Sequence, residues 1–173
     1  MSKAITKYLE RYAEKEAHTL TIPEHSFSQT IVIPAFDETT NFVENLRLLA
    51  NPSVLAIVIV NRPDNSSLEA TRNTFELLSD LKKLRLRNLL IIDRVEKPLE
   101  AKQGVGLARK IGTDLALRLI QLQKISSPWI RQTDADASFQ KNYYQTSMPK
   151  SGAVVFAHRH ISSDPLILSL IHI

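Results

Sequence analysis

Seven consecutive apolar residues, Val54-Leu-Ala-Ile-Val-Ile-Val60, constrain this chain more than any other segment. A run without polar alternation suits a strand covered on both faces, the usual state of a strand inside a parallel sheet. Similar though shorter runs occur at Thr30–Ala35, Leu89–Ile92 and Pro128–Thr133, and a fifth is read at Ala153–Ala157. Between them lie stretches with helical spacing. Phe42, Val43, Leu46 and Leu49 form one stripe, ending near Pro52. Leu68, Phe75, Leu78 and Leu81 form a second behind Ser66-Ser67-Leu68-Glu69, which reads as a capping box. Val105, Ala108, Ile111, Leu115, Leu119 and Leu122 form a third. Strands alternating with helices predict an α/β chain, a three-layer α/β/α sandwich around a mostly parallel sheet.

The N-terminal segment is read as a surface helix within residues 1–25: Ile5, Tyr8, Leu9 and Tyr12 keep helical spacing, and Lys7, Glu10, Arg11 and Glu14 interrupt any leader-like apolar core. No stretch approaches the ~18 apolar residues of a membrane span, so a cytoplasmic location is expected. With 173 residues and 43% hydrophobic content the chain can bury one core. The absence of cysteine rules out disulfides and thiolate metal sites. A net charge of +4 with only 6% aromatic residues suits anionic small ligands and gives little for nucleic acid to stack on.

In open parallel sheets ligands bind beyond the carboxyl ends of the strands. Asp37, Asn61, Asp93 and Asp134 each follow a predicted strand and are expected to converge on one crevice. Asp134 and Asp136 are one residue apart, a like-charged pair that a hard cation would relieve. Glycine placement excludes common alternatives. The chain has four glycines, and the turn after its first strand, Pro34-Ala35-Phe36-Asp37-Glu38, has none. A Rossmann dinucleotide site, a P-loop and a sugar nucleotidyltransferase all want glycine there. Gly104-Val105-Gly106 matches a fragment of a dinucleotide fingerprint but precedes the third predicted helix. Lys82, Lys83, Arg85 and Arg87 read as a solvated turn. His158 and His160 read as strand-end residues rather than a zinc pair.

Thr30-Ile-Val-Ile-Pro-Ala-Phe-Asp-Glu38 resembles the first strand and loop of family 2 glycosyltransferases, which have the GT-A fold. Lys102-Gln-Gly-Val-Gly-Leu-Ala-Arg109 resembles that family's segment leading into its third helix, and Thr133-Asp-Ala-Asp136 takes the place of its Asp-x-Asp motif. The resemblance spans about Thr30 to His160. It implies transfer of a sugar from a nucleotide-diphosphate sugar to an unknown acceptor. It also implies that Mg²⁺ or Mn²⁺ is held by Asp136 with Asp134, and that Pro34, Ala35, Glu38, Asn61, Lys102, Arg109 and Asp134 line or charge the donor site. A donor-binding domain over residues 28–163 follows.

The chain departs from the pattern after its second strand. Asn61-Arg-Pro-Asp-Asn-Ser66 replaces the family's Asp-Asp-Gly-Ser, so the acid that helps hold the base is an amide here, and the identity of the base is left open. Residues 168–173, Leu-Ser-Leu-Ile-His-Ile, read as translated sequencing adaptor. The natural chain is therefore expected to be longer, with residues 164–173 a non-native or disordered tail and the catalytic base beyond the end. The alternatives are a degenerate GT-A domain that binds nucleotide sugars without transfer, and an α/β interaction module that uses its carboxylates for Mg²⁺ alone.

Overall fold

The computed structural model describes residues 3–19 and 21–157. Four strands form one sheet: β1 (Gln29–Ala35), β2 (Val54–Pro63), β3 (Leu89–Leu99) and β4 (Ile130–Gln132), in the order β3-β2-β1-β4 with every pair parallel. The helices are α1 (Lys3–Arg11), α2 (Glu16–Thr19), α3 (Phe42–Asn45), α4 (Leu68–Lys83) and α5 (Gly104–Gln121). This is the expected α/β architecture with an all-parallel sheet.

Residues 54–60 of β2 are buried without exception. Their alternation decides which layer each feeds. Val54, Ala56, Val58 and Val60 join Ile31, Ile33 and Ala35 in a core closed by Phe42, Leu46, Leu77 and Leu81 from the α3 and α4 side. Leu55, Ile57 and Ile59 join Val32 on the opposite face, under Ala108, Ile111, Leu115 and Leu119 of α5. Successive side chains of a strand point to opposite faces, so a strand apolar at every position needs a cover on each side. At ~1.5–3 kcal/mol for each fully buried aliphatic side chain, these two cores dominate the folding energetics.

Helix α5 sits unusually close to the sheet. A Cβ added at Gly112 would collide with Val32 and lie 2.6 Å from Ile59 Cδ1. The glycine is what lets the helix approach β1 and β2 at this distance.

Local chemistry moves several predicted boundaries. The N-terminal helix is two helices. Asp114 Oδ2 accepts the Glu14 backbone N–H at 2.8 Å, so that N–H is not used within a continuing helix. The stripe expected to run to Pro52 is a single turn, α3, because Arg47 takes a left-handed φ of 56° that ends it. Leu49 is left 55% exposed. The carbonyls freed there are collected by side-chain amides. Asn51 Nδ2 donates to Arg47 O at 2.8 Å, and buried Asn88 Nδ2 donates to Leu48 O at 3.1 Å and Val54 O at 3.2 Å.

Helix α4 is capped one residue later than expected. Ser67 Oγ accepts the Ala70 N–H at 3.1 Å, and the buried face is Thr74, Leu77, Leu78 and Leu81, with Leu68 and Phe75 exposed. Strand β3 runs on to Leu99, seven residues further than expected. Residues 153–157 form no strand. Val155 is almost fully exposed, and no neighbouring strand pairs with this run among the described residues. His158, His160 and the expected tail at 164–173 lie outside the described residues.

The close approach of α5 yields a prediction. Gly112→Ala should destabilise the protein by about 1–3 kcal/mol, read as a lower urea midpoint with unchanged slope. An unchanged midpoint would show that the helix shifts outward freely and that the glycine is not required.

Candidate functional site

The strand order places a topological switch between β1 and β4. The chain builds β1, β2 and β3 outward in one direction, then returns to add β4 on the other side of β1. Loops leaving β1 and β4 therefore part in opposite directions and open a crevice. The ladder between them is short. It covers Thr30 to Val32, with a last bond from Thr133 N to Val32 O at 3.1 Å. Thr30, Val32 and Pro34 share an edge of β1, so the missing N–H of Pro34 falls just beyond the last rung, where no partner is needed.

A cavity of about 360 Å³ occupies this opening. Its walls are Pro34, Ala35, Phe36 and Glu38 from the β1 loop, Asn61 and Pro63 from the end of β2, Ala101, Gly104 and Val105 at the start of α5, and Asp134, Ala135 and Asp136 after β4. The volume suits a small-molecule ligand. Six of the eight residues singled out from sequence, Pro34, Ala35, Glu38, Asn61, Asp134 and Asp136, line it together. Arg109 joins them through an ion pair with Asp134 Oδ1.

Lys102, Asp93 and Asp37 do not line the cavity. Lys102 is 83% exposed and pairs with Glu100 at 3.3 Å. Asp93 lies inside the extended β3, where it pairs with Lys82 at 3.4 Å. Strand β3 continues past Asp93 to Leu99, and it is the later residues Ala101, Gly104 and Val105 that reach the cavity. The sequence reading missed the apolar walls supplied by Phe36, Pro63, Val105 and Ala135. Their signal was adjacency: each stands within four residues of a residue already chosen.

The β1 loop is held by a clip. Asp37 has a left-handed φ of 57°, a conformation that short acidic and amide side chains tolerate better than most. Its N–H donates to the Thr74 hydroxyl at 3.1 Å, and its carboxylate accepts Asn73 Nδ2 at 2.8 Å, both on α4. Asp37 thus works as a turn residue that aims Glu38 into the cavity. On the opposite wall Asp64 accepts the Ala101 N–H at 3.0 Å, tying the β2 loop to the approach of α5. Gly104, with φ +38°, turns the chain into that helix, whose first turn faces the opening. A helix N-terminus favours negative charge.

The electrostatics are unbalanced. Burial pushes the Glu38 carboxyl above its ordinary range, and the negative fields of Asp136, Asp37 and Asp134 push it further. Asn61 is 5% exposed, and its Oδ1 has no hydrogen-bond partner among the described residues. A buried acceptor without a donor is costly, and Asn61 lines the cavity, where a ligand or water can supply the missing donor.

The carboxylate oxygens suit a hard cation. Among the described residues no group of three or more His, Asp or Glu side chains is arranged to hold an ion, so a closed protein cage is absent. The set fits a cation that takes one or two carboxylates and receives its remaining ligands from phosphate oxygens and water, the usual habit of Mg²⁺.

No family model matches the chain, and neither curated proteins nor solved structures provide a match. Among the described residues no helix is long and apolar enough to cross a membrane.

Two outcomes follow from this charge pattern. With Glu38 raised in the folded state, its ionised form costs stability at neutral pH, and that cost vanishes as pH falls through the ordinary glutamate value near 4.5. Glu38→Gln should therefore melt higher than the parent at pH 7, with the two curves converging on acidification. A gain that persists in acid would point to packing instead. For Asn61, removing an unpaired buried acceptor should cost little. Asn61→Leu should stay within about 1 kcal/mol of the parent in stability, and a large loss would mean that the amide is satisfied after all.

Proposed function

We propose that this chain is the donor-binding part of a metal-dependent glycosyltransferase of the GT-A type, taking a nucleotide-diphosphate sugar. The carrying observation is the crevice at the β1–β4 switch. Asp134, Asp136, Glu38, Asn61 and the first turn of α5 meet there around one ligand-sized cavity. The three motifs that carry the family resemblance lie far apart in sequence, yet each contributes to this cavity or its edge.

In this reading the sugar–phosphate bond breaks and negative charge develops on the leaving diphosphate. The first turn of α5 offers backbone N–H groups and the positive end of the helix to that anion. Arg109 supplies a guanidinium suited to paired phosphate oxygens. Asp136 and Asp134 are the residues that would hold a Mg²⁺ or Mn²⁺, which would supply Lewis-acid neutralisation of the same charge. The apolar slot between Pro34, Pro63 and Val105 accepts a flat ring, and Asn61 accepts a hydrogen bond from its edge.

A second reading has its own support. Asn61 stands where the resembling family carries an acid, which favours a domain that binds nucleotide sugars without transferring them.

Titration of Mn²⁺ with UDP- and GDP-sugars against the parent chain and Asp136→Ala tests both. Asp136 is an exposed turn residue, so the variant should fold. The expected result is nucleotide binding that requires Mn²⁺ and falls by at least about tenfold in the variant. Metal binding without nucleotide binding would leave a Mg²⁺-dependent interaction module instead. An assay of sugar turnover separates transfer from binding alone.

A further inference from the structure

Three carboxylates line the cavity, and only one of them has a cation. Asp134 is paired with Arg109, whereas Asp136 and Glu38 have no hydrogen-bonding or ionic partner among the described residues. Three negative charges against one guanidinium leave two uncompensated, the charge that a divalent ion would fill. While Arg109 holds Asp134 Oδ1 and offsets its charge, only Oδ2 is left to a metal, with weakened attraction.

We propose that Arg109 is a resident counter-ion that closes the metal seat until the donor arrives. The diphosphate draws the guanidinium off Asp134 and thereby opens that carboxylate to the cation. The proposal rests on the donor-binding reading above and adds the order of events to it.

The pair is built to exchange. The side chains of Arg109 and Asp134 are 36% and 63% exposed, so water screens the contact and holds it weakly. The backbone beneath Arg109 is fixed. Thr113 donates its hydroxyl to Arg109 O at 2.7 Å, and Gln132 Nε2 of β4 donates to that same hydroxyl at 2.9 Å. Thus α5 and β4 stay locked while the side chain moves. The destination is better than the origin. One carboxylate oxygen receives a single guanidinium nitrogen now, whereas a diphosphate presents several oxygens to the full fork. Asn61, 5% exposed with an Oδ1 that no described residue satisfies, lines the same cavity and is an observation independent of the charges. Because coupling between sites is reciprocal, a diphosphate that displaces Arg109 must raise metal affinity, and the metal must raise diphosphate affinity equally.

Isothermal titration with MnCl₂ alone, with UDP or GDP alone, and with both tests this. The parent chain, Arg109→Gln and Lys102→Gln would be compared. Lys102 is close in sequence and carries the same charge, but it pairs with Glu100, so its loss controls for a general field effect. Arg109→Gln should bind Mn²⁺ alone about two- to fivefold more tightly than the parent, the range an exposed ion pair is worth. It should bind the nucleotide with Mn²⁺ about tenfold more weakly. Lys102→Gln should stay near the parent in both. If the parent binds nucleotide with Mn²⁺ but Arg109→Gln binds Mn²⁺ alone no more tightly, the displacement idea fails and the donor-binding reading stands. Equal tightening in Lys102→Gln also overturns it. If the parent binds no nucleotide under any of these conditions, both readings fall together.

Discussion

The burial of β2 on both faces is the constraint on which everything else rests. Residues 54–60 are apolar at every position, so no orientation of this strand places a polar side at water. It must lie inside a sheet with a layer on each side. Parallel pairing follows naturally, because the crossover segments that connect parallel strands supply those layers: α3 before β2 and α4 after it on one face, α5 on the other. Once β1, β2 and β3 run one way, their carboxyl ends share one edge. The return of the chain to place β4 beside β1 then decides where on that edge a gap opens. The cavity is thus a consequence of strand order, and Pro34, unable to donate to a longer ladder, helps keep β1 and β4 apart beyond Val32.

Much of this was legible because burial writes itself into composition. The apolar runs located β1 and β2 to within a few residues, and the α5 stripe of Ala108, Ile111, Leu115 and Leu119 is the buried face of that helix. What escaped was set by single contacts. The end of α3 depends on the φ of Arg47, and the break between α1 and α2 depends on Asp114, a hundred residues away. The continuation of β3 to Leu99 passes through Asp93, Arg94, Glu96 and Lys97. A sheet edge tolerates such polar residues, and an apolar-run criterion does not register them. Residues 153–157 show the reverse error. Their side chains favour a strand, but a strand requires a partner, and propensity carries no information about whether one is there.

The site follows the same division. Position after a strand correctly brought Asn61 and Asp134 together. The identical criterion misplaced Asp93, because β3 continues to Leu99 and it is the segment beyond Leu99 that lines the cavity. Asp37 is instructive in another way. It follows β1 as an active-site residue would, yet its carboxylate is spent on Asn73 and its backbone on Thr74. Sequence position alone could not distinguish a side chain that meets a ligand from one that shapes the loop carrying it.

Helix α5 carries two acid-centred arrangements that differ in a telling respect. Asp114, 1% exposed, accepts the Tyr8 hydroxyl at 2.8 Å, the Glu14 N–H at 2.8 Å and Lys110 Nζ at 2.8 Å. Burial alone would lower Lys110, but its bonds to Asp114 and Glu14 outweigh that and hold it above its ordinary value. Every charge there is answered, which is the condition for burying a carboxylate without severe cost. The result is a clasp that fixes the N-terminal helices against α5, reinforced where Glu16 of α2 meets Arg94 of β3 at 3.0 Å. At the cavity, by contrast, Asp134 has one exposed partner, and Asp136 and Glu38 have none. A fold that can satisfy a buried acid completely on α5 leaves three acids under-compensated beside the start of the same helix. Asp114 is closed by the chain itself, whereas Asp136 and Glu38 have no such partner among the described residues. In the proposed exchange the clasp ties α5 to the N-terminal helices while the Arg109 side chain, on the same helix, changes partners.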